Sequence, residues 1–331
     1  TVVSWGTIFF DYDNDTDLDL FNANGPVNPP IELIPNVLFQ NRGRIYEINK
    51  NSGVMDFGIG RGAISFDYDN DGDLDLFVVN EFTSNKFYKN NGYGYFTDIT
   101  EDAGLVSQFG GMSAAFADID NDGDQDLCIT NWAEQNKIYL NESKNDSIKF
   151  IDITESSGLL IDPFSKSNGC SFSDFDNDGD LDLFITNRKT PNNFYLNDGK
   201  GRYQLDTLLL PIDSSLSYGS LFFDYNNDGF DDILFTTRGG STTYLYKNNG
   251  GINFTNVSIE SNVGQEMEAR TAIAGDYDND GDLDLFIGAT IGSSKFFQNN
   301  GDGTFQDITN LTGIHVNDQV RGCSWFDFNQ D

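Results

Sequence analysis

The side chains of this chain that can do chemistry are mostly carboxylates, and they recur at fixed spacing. Asp11, Asp13, Asp15, Asp17 and Asp19 occupy alternate places of one nine-residue segment. The same pattern returns as Asp67, Asp69, Asp71, Asp73 and Asp75, then as Asp118, Asp120, Asp122, Asp124 and Asp126. It returns again as Asp174, Asp176, Asp178, Asp180 and Asp182, and as Asp276, Asp278, Asp280, Asp282 and Asp284. Between these last two lies a variant, Asp224, Asn226, Asp228, Phe230 and Asp232, and a seventh copy begins with Asp327, Asn329 and Asp331. Side-chain oxygens at positions 1, 3 and 5, a sharp turn at 6, the backbone carbonyl at 7 and a carboxylate at 9 can wrap one hard cation. Ca²⁺ takes six to eight oxygens at about 2.3–2.6 Å, whereas Mg²⁺ demands a tighter octahedron. Zinc is disfavoured because the loops offer neither Cys nor His. Without a cation, four or five carboxylates in nine residues repel one another. Six or seven structural Ca²⁺ sites are therefore expected.

The copies are not equal. Thr16 stands where the other complete loops have Gly, and a β-branched residue resists the positive φ of such a turn. Loop one is therefore expected to be the weakest. In loop five Asn226 still offers an oxygen and position 7 serves through its backbone, so Phe230 is expected to be tolerated.

These loops must be held by something that repeats with them. Their first Asp residues lie 50–56 apart. A short stretch of small and apolar residues precedes each loop, as in Gly62–Phe66, and a stretch apolar on both faces follows it, as in Leu74–Val79. The second stretch suits a strand buried on both sides. Two further short segments follow, joined by Asn-Asn-Gly or Asn-Asp-Gly turns that tolerate positive φ. One repeat is thus four antiparallel strands with the acidic loop between the first two, and repeated units of this kind predict a β-propeller. The fold class expected is all-β: one seven-bladed propeller domain over 1–331, with repeats at 1–57, 58–108, 109–164, 165–214, 215–266, 267–317 and 318–331. The last is incomplete, so the rest of a seventh blade is expected beyond Asp331. A six-bladed arrangement with the last strand used elsewhere is the alternative.

Composition narrows the function. With 53 acidic and 19 basic residues the net charge is −34, and more than half of the acids sit in the loops. A phosphate backbone needs a basic footprint, so nucleic acid is not an expected partner. Hydrophobic residues at 38% and 29 Phe argue against a disordered acidic tail. There is no apolar run long enough for a transmembrane helix, and a signal peptide is expected to be absent or already removed. The three cysteines do not make a disulfide framework. There is no HExxH, phosphate loop or Ser/His/Asp set, so no catalytic residue is expected.

The loop Asp-x-[Asp/Asn]-x-Asp-Gly-x-x-Asp followed by an apolar strand resembles the FG-GAP/VCBS repeat, whose members include the integrin α-subunit propeller. The run Phe87–Leu105, echoed at Phe296–Thr309, is similar in particular to the cartilage acidic protein (ASPIC/UnbV-type) branch. The resemblance implies a propeller, calcium, and an extracellular or cell-surface setting. It leaves the activity open among adhesion, carbohydrate binding and polysaccharide-acting enzymes.

One column of the repeat points to a ligand. Six residues before the seven loops stand Trp5, Arg61, Met112, Asn168, Tyr218, Arg270 and Arg321, expected near the channel mouth on the face away from the calcium, and of these Trp5, Arg61, Tyr218, Arg270 and Arg321 are the candidate contacts. Arginine gathered there in a −34 protein suggests an acidic partner. Trp132 and Arg188, on loops reaching the same face, complete the expected contact set. Sequons at Asn141, Asn145, Asn253, Asn256 and Asn310 are candidate glycan acceptors. The expected function is a secreted, calcium-binding recognition or adhesion module for a protein or glycan. A self-assembling extracellular subunit is the first alternative, and a calcium-assisted polysaccharide lyase the second.

Overall fold

The computed structural model describes residues 2–26, 34–43, 46–132, 134–144, 147–159, 166–210, 216–240, 242–314, 316 and 319–326. Two compact units are seen, 1–155 and 156–331.

The first unit holds three four-stranded antiparallel sheets. These are β1 (Val2–Phe10), β2 (Asp19–Pro26), β3 (Val37–Asn41) and β4 (Tyr46–Ile48); β5 (Gly60–Phe66), β6 (Asp75–Asn80), β7 (Lys86–Asn90) and β8 (Phe96–Asp98); and β9 (Ser113–Ala117), β10 (Asp126–Thr130), β11 (Lys137–Asn141) and β12 (Phe150–Asp152). The second unit holds three more. These are β13 (Ser167–Ser173), β14 (Asp182–Asn187), β15 (Asn193–Asn197) and β16 (Tyr203–Asp206); β17 (Leu216–Phe223), β18 (Asp232–Arg238), β19 (Tyr244–Asn248) and β20 (Phe254–Asn256); and β21 (Glu268–Gly275), β22 (Asp284–Ile291), β23 (Lys295–Asn299) and β24 (Phe305–Asp307). In every sheet the strands lie in chain order, as propeller blades do.

The second strand of each blade explains the double-faced apolar runs. All of β6, β10 and β14 is buried, and each buried Leu, Val or Phe contributes about 1.5–3 kcal/mol. Between the first two blades pack Phe10, Phe21, Leu76 and Phe96, and between the next two Phe66, Phe77, Phe87 and Leu127. The second unit repeats this with Phe175, Phe184, Phe194 and Phe235, then Phe223, Leu234, Leu285 and Phe297. First strands of neighbouring blades come so close that a Cβ on Gly6 would stand 2.7 Å from Gly62 Cα.

The expected seventh blade is corrected to six among the described residues. Residues 319–326 form no strand, because they find no sheet partner there. They still pack on the sixth blade: Val320 N–H donates to Ala289 O (2.9 Å), and the Trp325 ring stacks 5.9 Å from Phe296. Asp327, Asn329 and Asp331 lie outside the described residues.

Candidate metal centres

Each complete loop is built in the same way. The Asp at position 1 folds the turn around itself, accepting N–H bonds from positions 5 and 6: 3.1 and 2.8 Å at Asp11, 3.1 and 2.9 Å at Asp67, 3.1 and 2.7 Å at Asp224. Position 4 is Asn in all six loops and takes a left-handed φ of 56–61°. Position 6 is left-handed too, with Gly at 72, 123, 179, 229 and 281. Thr16 is forced to φ 76° all the same, so the strain expected of loop one is present in its backbone.

This fold of the backbone drives carboxylates together. The oxygens of positions 1, 3 and 5 lie within 4.8 Å of one another in loops one, two, three, four and six. The position-3 residue is the telling one. Oδ1 of Asp13, Asp69, Asp120 and Asp176 is buried with no hydrogen-bond partner. A carboxylate oxygen taken from water without compensation is costly. A hard cation supplies what the protein does not, so the donor set fits Ca²⁺.

Loop five departs from this. Asn226 Oδ1 accepts the Asp228 N–H (3.0 Å), and the buried Nδ2 is left without a partner. An amide cannot serve the backbone and a cation with separate oxygens as an aspartate can. The expectation that this loop tolerates its substitutions is thereby narrowed: its cluster has one carboxylate fewer at positions 1, 3 and 5.

The ninth-position Asp ties the loop to the sheet. Asp75 Oδ2 accepts the Tyr68 N–H (3.1 Å) and Oδ1 the Asn90 N–H (2.8 Å); Asp19, Asp126, Asp232 and Asp284 are held alike. Any contact of these residues with an ion comes through the lone pairs those N–H groups leave. Burial pushes Asp19, Asp126, Asp182 and Asp232 up to about 7 and Asp75 to about 8, against the lowering effect of the backbone bonds.

Sequence reading missed two features. The residue before the structural Asn of the third strand reaches the loop. Lys89 pairs with Asp69 and lies 3.3 Å from Asp71, and Lys247 lies 2.9 Å from Asp228. Gln40 and Gln298 donate to Asp13 (2.6 Å) and Asp278 (2.7 Å), while Leu140 and Leu196 hold the same place in blades three and four. The second feature is a link between loops. The position-4 Asn donates to the position-7 Asp of the next loop: Asn14 to Asp73 (2.7 Å), Asn70 to Asp124 (2.8 Å) and Asn227 to Asp282 (2.6 Å). Where position 7 is Phe230, Asn177 turns to the Gly229 carbonyl instead (3.0 Å). The invariance of Asn at position 4 across the six loops was the available signal.

Two members of the ligand column, Trp5 and Arg61, are turned into the blade. Trp5, Arg61 and Arg270 sit where the first-strand register slips by one residue, and Tyr218 lies within the slip of β17. A bulge re-aims a side chain, and at Trp5 and Arg61 it aims inward. The Arg61 side chain is buried, pairs with Glu81, and stacks 3.7 Å over Trp5, whose Nε1 donates to Gly25 O (3.1 Å). Arg61 and Trp5 are thereby spent on the blade and leave the contact set. In the second unit Arg270 and Arg238 flank buried Tyr218 at 4.7 and 5.6 Å, and Arg238 pairs with Glu268 (3.0 Å). Arg321 donates to Gln319 (2.5 Å), and Trp132 and Arg188 are half-buried. Among the sequons, Asn141 is corrected: it is buried, with Nδ2 donating to Tyr68 O across the blades (2.8 Å). Asn253, Asn256 and Asn310 are exposed, and Asn145 lies outside the described residues.

Four-stranded blades, each carrying an acidic turn between its first two strands, define a β-propeller chain with a repeated carboxylate loop. The profile for FG-GAP-like repeats matches residues 67–129, 174–235, 224–287 and 276–331, and the chain belongs to that family. It is similar to cartilage acidic protein 1 of Xenopus tropicalis, 31% identical over 170 residues, and to that of Homo sapiens, 29% identical. The Xenopus alignment spans 50% of this chain and 26% of the relative, so the chain covers about a quarter of it. Among solved structures it is similar to BBS1N in complex with ARL6DN (TM-score 0.57, 8% identity, 89% of this chain and 79% of that one). It is also similar to the rhamnogalacturonan lyase YesW (TM-score 0.52, 10% identity, 97% and 67%). At such identities the likeness is one of fold alone.

Proposed function

We infer that this chain is a calcium-loaded extracellular recognition module in which the ions are structural. The observation that carries the reading is the recurring buried position-3 oxygen without a partner, at the centre of a carboxylate cluster. Asp11, Asp13 and Asp15, with their counterparts in the other loops and the position-7 carbonyls, would hold the ion. The ion would cancel their repulsion and lock each turn to its sheet. Loops of this type bind at about 10⁻⁴–10⁻³ M in extracellular modules, which suits a calcium-rich exterior. The relatives' name, an acidic protein of cartilage, agrees with such a setting. The likeness to a lyase brings fold without chemistry, so no catalytic role is proposed. No helix of the described residues is long and apolar enough to cross a membrane.

Melting curves test the calcium reading. A ligand bound only by the folded state stabilises it by about 2.7 kcal/mol per site at a hundredfold excess over Kd. Chelation with EDTA is expected to lower the melting temperature markedly, and Ca²⁺ to restore it where equal Mg²⁺ does not. Unchanged melting after verified metal removal would refute the assignment. Capture of the loaded protein on an extracellular-matrix coat, absent in EDTA, tests recognition.

A further inference from the structure

A cavity of about 440 Å³ lies wholly within the first unit, between the connection 104–109 and the outer part of the third blade. Its size falls in the range of ligand pockets, about 300–1,000 Å³. Two lining side chains have unmet hydrogen-bond capacity. Asn85 is 1% exposed and its Nδ2 has no partner; the buried Ser107 Oγ has none either. The contrast with blade four is informative. Asn85 Oδ1 accepts the Asn80 N–H (3.0 Å), as Asn192 Oδ1 accepts the Asn187 N–H (2.9 Å). Asn192 Nδ2 then donates to Ser217 of the next blade (3.0 Å), whereas beside Asn85 the next blade leaves the cavity.

The walls are aromatic. Phe109 is 41% exposed, and Tyr139 and Phe150 are half-buried. Phe82, held at φ 61°, donates its N–H to Phe109 O (2.8 Å) and fixes that wall. A bulky residue in the left-handed region is rare and is retained where surrounding structure demands it.

We propose that this cavity binds a neutral saccharide ring. A sugar offers a C–H face to Phe109 and hydroxyls to Asn85 and Ser107, the two kinds of group that line the cavity. A purely apolar ligand would leave both polar groups unmet. An anion would face the Glu134 and Asp152 carboxylates, and the one cation present, Lys137, is already paired with Asp152 (2.8 Å). The assignment rests on the recognition reading above and gives it a ligand class.

The test is saturation-transfer NMR on the calcium-loaded chain with methyl glucoside, methyl galactoside, methyl mannoside and N-acetylglucosamine, and with methyl glucuronide as the charged control. At least one neutral sugar is expected to bind, and the glucuronide at least about tenfold more weakly, a difference of about 1.4 kcal/mol. N85S keeps the turn, as Ser294 does by accepting the Ala289 N–H (3.1 Å), and replaces the amide Nδ2 by a shorter hydroxyl that does not reach as far into the cavity. F109A removes a surface ring. Each is expected to weaken binding about tenfold with melting unchanged. Absence of binding by every neutral sugar, equal binding of the glucuronide, or binding that both variants leave intact overturns the proposal. Matrix capture that persists while the sugars fail overturns only the pocket; loss of both overturns recognition itself.

Discussion

A single residue sets the quality of each loop. Thr16 holds a left-handed φ that the other complete loops give to Gly, at a cost of about 1–2 kcal/mol for an L-residue with a Cβ. T16G is expected to raise the melting temperature and to tighten calcium at loop one. Lys89 acts as a resident ammonium on Asp69 and Asp71, and a bound ion must displace it or sit beside it. Two like charges about 4 Å apart repel by about 1–4 kcal/mol between bulk water and a protein surface. K89L is therefore expected to tighten loop two by about tenfold or more, read by calcium titration with native mass spectrometry. No change in either titration would show that the backbone of position 6 and the third-strand side chain do not govern affinity. Loops three and four, with Leu140 and Leu196 in that place and Gly at position 6, are expected to fill first.

At the level of the element, the Asn that ends the third strand joins three parts of the structure. Asn90 N–H reaches Asp75 (2.8 Å), and its Nδ2 reaches Leu74 O and Tyr12 O of the preceding blade, both at 2.9 Å. Asn248 and Asn299 repeat the cross-blade bond at 2.8 Å. As a sequence feature this Asn reads as hairpin chemistry, because Asn-Asn-Gly is a turn signal; its long-range role shows only when the blades are assembled. N90A leaves the buried Tyr12 carbonyl and the part-buried Leu74 carbonyl without this donor, at up to about 1–3 kcal/mol each. A loss of stability of at least about 2 kcal/mol is expected in denaturant unfolding, with β-sheet circular dichroism retained. A loss of a few tenths would mean that the bond is ornamental.

For the whole molecule, charge and burial act in the same direction. Asp19, Asp126, Asp182 and Asp232 are raised by burial to about 7 and Asp75 to about 8, from about 3.9 in the unfolded chain. Between those values the calcium-free folded state holds more protons than the unfolded one, so its stability falls as pH rises. Melting in EDTA is expected to be higher at about pH 5.5 than at about pH 8. With Ca²⁺ the slope reverses, because the ion needs ionised ligands. An EDTA profile that rises with pH would show that these carboxylates are stabilised as anions without metal.

The sequence alone determined the repeat, the four-stranded unit, and the acidic loop with its alternating carboxylates. All of these are local: alternate oxygens, left-handed Gly and Asn, and strand periodicity act over fewer than about ten residues. It also singled out the column containing Trp5 and Arg61, since a bulge leaves a fixed offset from the loop. What that column does was decided by packing. Arg61 turned to Glu81 and Trp5 because a buried guanidinium must find a carboxylate within reach. Tertiary structure likewise decided that Asn141 is buried, that Lys89 answers Asp69, and that residues 319–326 form no sheet. Each of these depends on which blade lies next to which, and that is set by long-range contacts that no local spacing encodes.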